Sequence, residues 1–268
     1  MRGFKQEDNI HNIRMPTGTA DEALLTDVER SSKSEADSAE RRNITEVTFH
    51  RIRELIVHGR LAPGSRVVEA DLADRLGVSR TPVRASLHRL QQEGYIQVCS
   101  GGKGKIKLAV APLTQEDARE LYSIVGHLEG LAGRSAARLE PEERIDVIRR
   151  LTESNGRLRE LAEAGSGDPN VIFELDIGFH QTITDAGAGH RLRAMHSGIK
   201  PQTERYWRLY ASSIVDQLGL SVGEHDVIID AITRGDCDAA ERALQMNWQN
   251  GSERLSRVIA TLGERGSW

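Results

Sequence analysis

The sequence has few cysteines and no long apolar run, and both features exclude whole classes of protein. Two cysteines occur among 268 residues, too few for a disulfide framework or a cysteine metal cluster and typical of a reducing compartment. No run of about 18 apolar residues occurs, so we expect no membrane span. The N-terminus also lacks the charged, apolar and small-residue order of a signal peptide. We therefore expect a cytoplasmic protein with no membrane partner.

The charge is unevenly distributed along the chain. Residues 43–112 hold 11 Lys and Arg against 6 Asp and Glu, whereas the whole chain has a formal net charge of −4. A basic segment inside an acidic chain is typical of a module that meets phosphate groups. Residues 1–42 are rich in Ser, Glu, Asp, Arg and Asn and have few large apolar residues, which predicts a disordered tail.

The stretch from Glu69 to Gly94 predicts a helix, a tight turn and a second helix. Gly77 ends the first helix as a left-handed cap would, and Pro82 lies in the opening turn of the second. An apolar stripe on the second helix is formed by Val83, Leu87 and Leu90. Arg80 and Arg84 stand four residues apart and away from that stripe. This is the layout of a helix-turn-helix whose second helix enters the major groove of DNA.

A glycine- and lysine-rich hairpin follows. Residues 95–98 and 105–110 alternate apolar and polar residues, with a turn at 100–104, and a first helix is predicted at 47–60. We therefore expect a winged helix-turn-helix domain over residues 43–111; an ordinary helical hairpin with solvated arginines is the alternative. The candidate DNA contacts are Ser79, Arg80, Thr81, Arg84, Gly101, Gly102 and Lys103.

This region resembles the DNA-binding domain of the GntR family of bacterial transcription regulators. The stretch PGSRVVEADLADRLGVSRTPVRASLHRLQQEG carries the family pattern almost unbroken. The resemblance implies a homodimer that binds a palindromic double-stranded DNA operator.

After a short linker at 111–114 the pattern is helical to the end, and we expect an all-α bundle over residues 112–263. Apolar periodicity predicts long helices across 118–139, 145–161 and 172–183. Two shorter pieces follow at 191–199 and 202–212, then helices at 224–233 and 240–262. The fold class is thus mostly α, a winged helix-turn-helix followed by a helical bundle.

Four polar residues lie on inward-facing stripes of this bundle. Asp176 and His180 share one helix face, and His225 and Asn247 are in phase with apolar residues of two other helices. A buried carboxylate or imidazole is costly unless it is paired. The set could hold a divalent transition metal or form a hydrogen-bonded core, and the spacing alone favours the core.

The stretches DIGFH, EHDVIIDAITRGD and AERALQMNW are similar to the FCD domain, the helical C-terminal domain of FadR-type GntR regulators. The resemblance implies a metal of zinc, nickel or manganese type held by Asp176, His180 and His225, with Asn247 where relatives usually have histidine. Many relatives also carry an arginine in the first bundle helix where this chain has Val125 and Gly126. The remaining candidates to bind an effector carboxylate are Arg205, Arg208 and His127, although a solvated helix face explains the arginines as well.

We therefore expect a ligand-responsive regulator, a repressor released from its operator by a small organic acid. A metal-dependent enzyme fused to a DNA-binding module is the main alternative, but no inward Glu or Ser at a suitable spacing marks a general base or nucleophile. An architectural DNA-binding protein without a ligand is the other alternative, and it leaves the buried polar residues without a purpose.

Overall fold

The computed structural model describes residues 42–100, 106–165, 167–214 and 217–266. The predicted disordered tail therefore lies outside the described residues except for residue 42. The predicted wing tip, with Gly101, Gly102 and Lys103, also lies outside them.

The N-terminal unit is a winged helix-turn-helix. Its helices are α1 (residues 42–57), α2 (Glu69–Leu76) and α3 (Arg80–Gln92). Its strands are β1 (Arg66–Val67), β2 (Ile96–Ser100) and β3 (Ile106–Val110), which form an antiparallel sheet in the order β1-β3-β2. The sequence did not predict β1, because two residues are too few to show an alternating pattern. Its pairing with β3 ties the wing to the chain ahead of the helix-turn-helix.

The turn between α2 and α3 follows from its sequence. Gly77 has a φ of 68°, and its N–H donates to the last carbonyls of α2, as the left-handed cap predicted. Ser79 occupies the N-cap position of α3, but its side chain makes no capping hydrogen bond. The core beneath the turn includes Phe49, Ile52, Val83, Leu87, Leu90 and Tyr95. This packing leaves the solvent-facing side of the start of α3 free for other contacts.

The C-terminal unit is a helical bundle in the described part of the chain. Its helices are α4 (Gln115–Ala136), α5 (Pro141–Ala164), α6 (Pro169–Gly187), α7 (His190–Ile214), α8 (Leu218–Thr233) and α9 (Cys237–Leu262). Thr114 caps α4 by accepting a hydrogen bond from Asp117 N at 3.1 Å. None of the described helices is long and apolar enough to cross a membrane.

Helix α7 corrects the sequence prediction of two shorter helices. It runs without interruption through Pro201, although proline lacks an N–H and usually kinks or breaks a helix. Tyr206 and Tyr210, in the second half of α7, are fully buried against α4 and α9. This packing favours continuation of the helix past Pro201, which the local sequence could not indicate.

Glycines allow the bundle helices to approach closely. Gly126 and Gly133 of α4 face α9, where an added Cβ would overlap Trp248 and Leu244 respectively. At the end of α6, a Cβ on Gly187 would overlap the carbonyl oxygen of Ala132 in α4. The approach of α6 to α4 brings His180 next to the centre of α4.

We predict that Gly187→Ala destabilises the protein by about 1–3 kcal/mol, because the added methyl group must push α6 away from the α4 backbone. Gly178→Ala, in the same helix, is the matched control. A Cβ there meets nothing within 4 Å, so this change should stabilise the helix by up to about 1 kcal/mol. Urea unfolding measures both changes, and a Gly187→Ala variant as stable as the wild type would contradict the predicted overlap.

Candidate DNA-contact surface and metal centre

The predicted DNA contacts within the described residues lie together at the start of α3. Ser79, Arg80, Thr81 and Arg84 are all exposed. The helix begins at Arg80, so its unpaired N–H groups and its positive dipole end lie on the same side as these side chains. This surface suits a phosphate backbone and the groove beside it.

Arg84 donates two hydrogen bonds to Glu69, a residue that the sequence did not single out. Its Nε lies 3.1 Å and its NH2 2.9 Å from Oε2 of Glu69, the first residue of α2. The pair is exposed, so it adds little stability. However, it fixes the direction of the guanidinium group and leaves its NH1 side free. A guanidinium so held can present two further donors to an acceptor such as guanine.

Asp176, His180 and His225 converge as the sequence suggested. One ligand atom from each lies within 4.8 Å of the other two, with Asp176 and His180 on α6 and His225 on α8. Both histidines are buried, whereas Asp176 is partly exposed. Asn247 of α9 lines the same cavity, and its Nδ2 lies 2.9 Å from Oε2 of Glu224. That hydrogen bond leaves the amide oxygen as the remaining ligand atom of Asn247.

His225 is arranged to offer a lone pair to a metal. Its Nδ1 lies 3.1 Å from Oδ1 of Asn155, whose Nδ2 donates to the Val222 carbonyl. Nδ1 therefore carries the proton, and Nε2 is a buried nitrogen without a hydrogen-bond partner. Burial, followed by the nearby His180, lowers the pKa of His225 well below its ordinary value. A neutral imidazole with an unused inward lone pair fits a metal ligand.

His180 is oriented by a buried carboxylate, Glu129 of α4. The Nδ1 of His180 lies 2.5 Å from Oε2 of Glu129, which is fully buried. Glu129 also accepts hydrogen bonds from His196 Nε2 at 2.9 Å and Trp248 Nε1 at 2.7 Å. The sequence indicated no inward Glu at a spacing that marks a general base, and it did not single out Glu129, which is inward and supports His180. A carboxylate behind a histidine ligand fixes its tautomer and raises its basicity.

The charges around this centre suit a cation. Burial alone would raise the pKa of Glu129, but His180 and His196 outweigh it and hold that pKa well below its usual range. Burial alone would lower the pKa of His180, but Glu129 outweighs it and raises that pKa. Burial raises the pKa of Asp176. A divalent ion would replace a proton on His180 and stabilise the ionised form of Asp176, and one carboxylate with two imidazoles suits transition metals.

The three weaker candidates for effector binding lie outside this cavity. Arg205 is buried at the junction of the two units, and its NH2 lies 2.5 Å from the Ala111 carbonyl oxygen. Arg208 lies 4.5 Å above the Phe173 ring. His127 is exposed and lines a separate groove of about 640 Å³ between α4 and α9. None of the three is among the cavity-lining residues.

The cavity holds charged residues that the sequence reasoning missed. Lys200 of α7 and Arg254 of α9 both line it and are both buried. The sequence contained a signal for Glu129, which stands in phase with the apolar stripe of α4. The sequence signal for Lys200 was weaker, because Pro201, the next residue, suggested that a helix ends at this point.

Two family models match the chain. Residues 44–104 match "Bacterial regulatory proteins, gntR family", and residues 120–250 match "FCD domain". The solved structure of E. coli McbR/YncC is similar in fold, with a TM-score of 0.61 and 21% identity, over 80% of this chain and 97% of that one.

Curated relatives agree with these matches. An uncharacterized HTH-type transcriptional regulator in an unstable DNA locus of Streptomyces ambofaciens is 31% identical, over 79% of this chain and 85% of the relative. A "Probable D-xylose utilization operon transcriptional repressor" of Paenarthrobacter nicotinovorans is 28% identical, over 78% and 88% respectively. The family and these relatives are transcription regulators, which removes the enzyme alternative. The chain belongs to the GntR family and is a DNA-binding transcription regulator with an FCD domain.

Proposed function

We propose that this regulator is a repressor that binds a palindromic operator as a homodimer and leaves it when a small carboxylate binds beside a divalent metal. One winged helix contacts too few base pairs for useful specificity, whereas two related by a twofold axis read both halves of a palindrome. The repressor name of the Paenarthrobacter relative supports the direction of control.

The metal would be held by Asp176, His180 and His225, with Asn247 or a water molecule completing the ligand set. The partnerless Nε2 of His225 and the hydrogen bonds behind both histidines support this ligand set. The ion would supply a Lewis acid with open positions, to which an anionic oxygen binds. The hydrogen-bonded core is the competing interpretation, and it leaves that nitrogen without a hydrogen bond, since Asp176 Oδ1 lies 3.6 Å away.

The position of helix α7, with one side at the cavity and the other at the DNA-binding unit, supports a coupling between ligand binding and DNA binding. Lys200, Glu204 and neighbouring residues line the cavity. On the other side of the helix, Gln202 Nε2 lies 2.8 Å from the Glu93 carbonyl oxygen at the end of α3, and Arg205 contacts Ala111. A ligand that shifts α7 therefore shifts the support of the recognition helix.

The coupling must act in both directions. A ligand moves the protein only toward the state that it binds better. If that state holds the two winged helices away from the half-site spacing, the ligand weakens DNA binding by the same factor by which DNA weakens ligand binding.

Arg84→Ala should weaken binding to an operator selected from random duplexes by about 1–3 kcal/mol, because a fork of donors to a base is lost. Arg84→Lys keeps the charge but not the fork, so it should lose much of the same specificity. Both are compared with the wild type by fluorescence anisotropy at one salt concentration. If the alanine variant and the wild type bind the operator with equal affinity, Arg84 is not part of the DNA interface.

The metal proposal is tested by titrating zinc, nickel and manganese into metal-free protein. Asn247→His should raise the affinity, and Glu129→Gln should lower it about 10–100-fold, because the support behind His180 is weakened. His127→Asn, remote from the cavity, is the control. Purified protein without bound metal by elemental analysis, together with no thermal shift on adding these ions, would favour the hydrogen-bonded core.

Release is tested by titrating sugar acids, dicarboxylates and hydroxy acids into the operator complex of metal-loaded protein. At least one acid should release the wild type, and it should release His180→Ala far less readily, because the metal that holds the acid is lost. If an acid releases both proteins equally well, the metal does not hold the effector.

A further inference from the structure

The ammonium group of the buried residue Lys200 makes no hydrogen bond to the part of the protein that the structure describes, although its charge acts on the carboxylates of Glu129, Asp176 and Glu204. Its nearest ion-pair partner is Glu204, with Nζ and Oε1 3.9 Å apart, which is too far for a hydrogen bond. An ammonium group carries three donors, and a ligand in the cavity can accept hydrogen bonds from them. Lys200 is only 7% exposed, and it lines the cavity that also contains Asp176 and His180.

The other cation of the cavity is already neutralised. Arg254 NH1 lies 2.6 Å from Oε1 of Glu224, and its NH2 lies 3.0 Å from Oε2 of the same residue. Its NH2 also lies 3.2 Å from the Ser221 hydroxyl. The fork between Arg254 and Glu224 therefore fixes this guanidinium. Of the two cations lining the cavity, Lys200 is the one with donors to spare.

The cavity is small. Its volume is about 80 Å³, well below the roughly 300–1,000 Å³ of pockets that enclose drug-sized ligands. Phe173 and Trp207 line it on one side, with ring centroids 4.6 Å apart. A ligand that fits without a rearrangement has few heavy atoms and a short apolar segment between its polar ends.

We propose that Lys200 binds a second anionic group of the effector, so that the cavity selects short dicarboxylates of up to about four carbon atoms over monocarboxylates of equal length. This inference rests on the proposed function, in which the metal binds the first carboxylate. Lys200 then binds the second one from α7, the helix whose opposite face contacts the recognition helix. Longer six-carbon acids should bind more weakly, because the enclosed volume is small.

The test uses succinate and butyrate, which have equal length and differ in one carboxylate. Calorimetry on the metal-loaded full chain should give succinate at least a tenfold higher affinity than butyrate. Lys200→Met should abolish this preference, whereas Lys200→Arg should restore part of it. Adipate, with six carbons, should bind more weakly than succinate.

Arg208→Met is the matched control, because it removes a cation of the same helix from outside the cavity and keeps an apolar chain over Phe173. It should retain the preference for succinate. Metal content and operator affinity, measured on each variant, should match the wild type and show that the fold is intact.

Three results would overturn the proposal, and they separate it from the proposed function. If Lys200→Met keeps the wild-type preference for succinate over butyrate, Lys200 does not form the subsite. Metal-dependent carboxylate binding is then unaffected. If adipate binds as tightly as succinate, the proposed limit on the length of the ligand is wrong. If neither acid binds wild-type protein that still binds metal and operator, the subsite for short dicarboxylates is wrong, and the titrations with sugar acids and hydroxy acids then decide separately whether any carboxylate is the effector.

Discussion

The bundle depends on a single buried carboxylate. Glu129 belongs to α4, and its two oxygens accept hydrogen bonds from His180 of α6, His196 of α7 and Trp248 of α9. Removing a partner from a buried charge costs about 3–5 kcal/mol. The positions of four helices are therefore linked through one residue. Whatever binds the outer nitrogen of His180 acts on a side chain that is already tied to the other three helices.

The same buried cluster is connected to the DNA-binding unit through α7. Helix α7 contributes His196 to the Glu129 cluster and Lys200 to the cavity, and it holds the end of α3 through Gln202. These contacts lie within two turns of one helix. In the proposed mechanism, a ligand that displaces α7 therefore acts on the end of α3 directly, through Gln202, without a long chain of intermediate contacts.

The sequence predicted those features that depend on local pattern. The helix-turn-helix was predictable because Gly77 and the apolar stripe lie within a few turns of each other. The grouping of Asp176, His180 and His225 was predictable because each is in phase with an inward stripe. The role of Glu129 was not, since its three partners lie 51 or more positions away along the chain. The continuity of α7 through a proline likewise depends on packing against other helices.

The two departures from the FCD pattern have connected consequences. Asn247, where relatives usually have histidine, donates to Glu224, and Glu224 in turn binds Arg254 through both oxygens. The charge of Arg254 in α9 is thereby neutralised. In α4, positions 125 and 126 are valine and glycine, so neither carries a cation. Of the lysine and arginine side chains that line the cavity, Lys200 is the one whose donors make no hydrogen bond to the described residues, and it lies on α7, which contacts the end of α3. In the proposed complex, the ligand's second charge therefore lies on α7, the helix whose Gln202 contacts the end of α3.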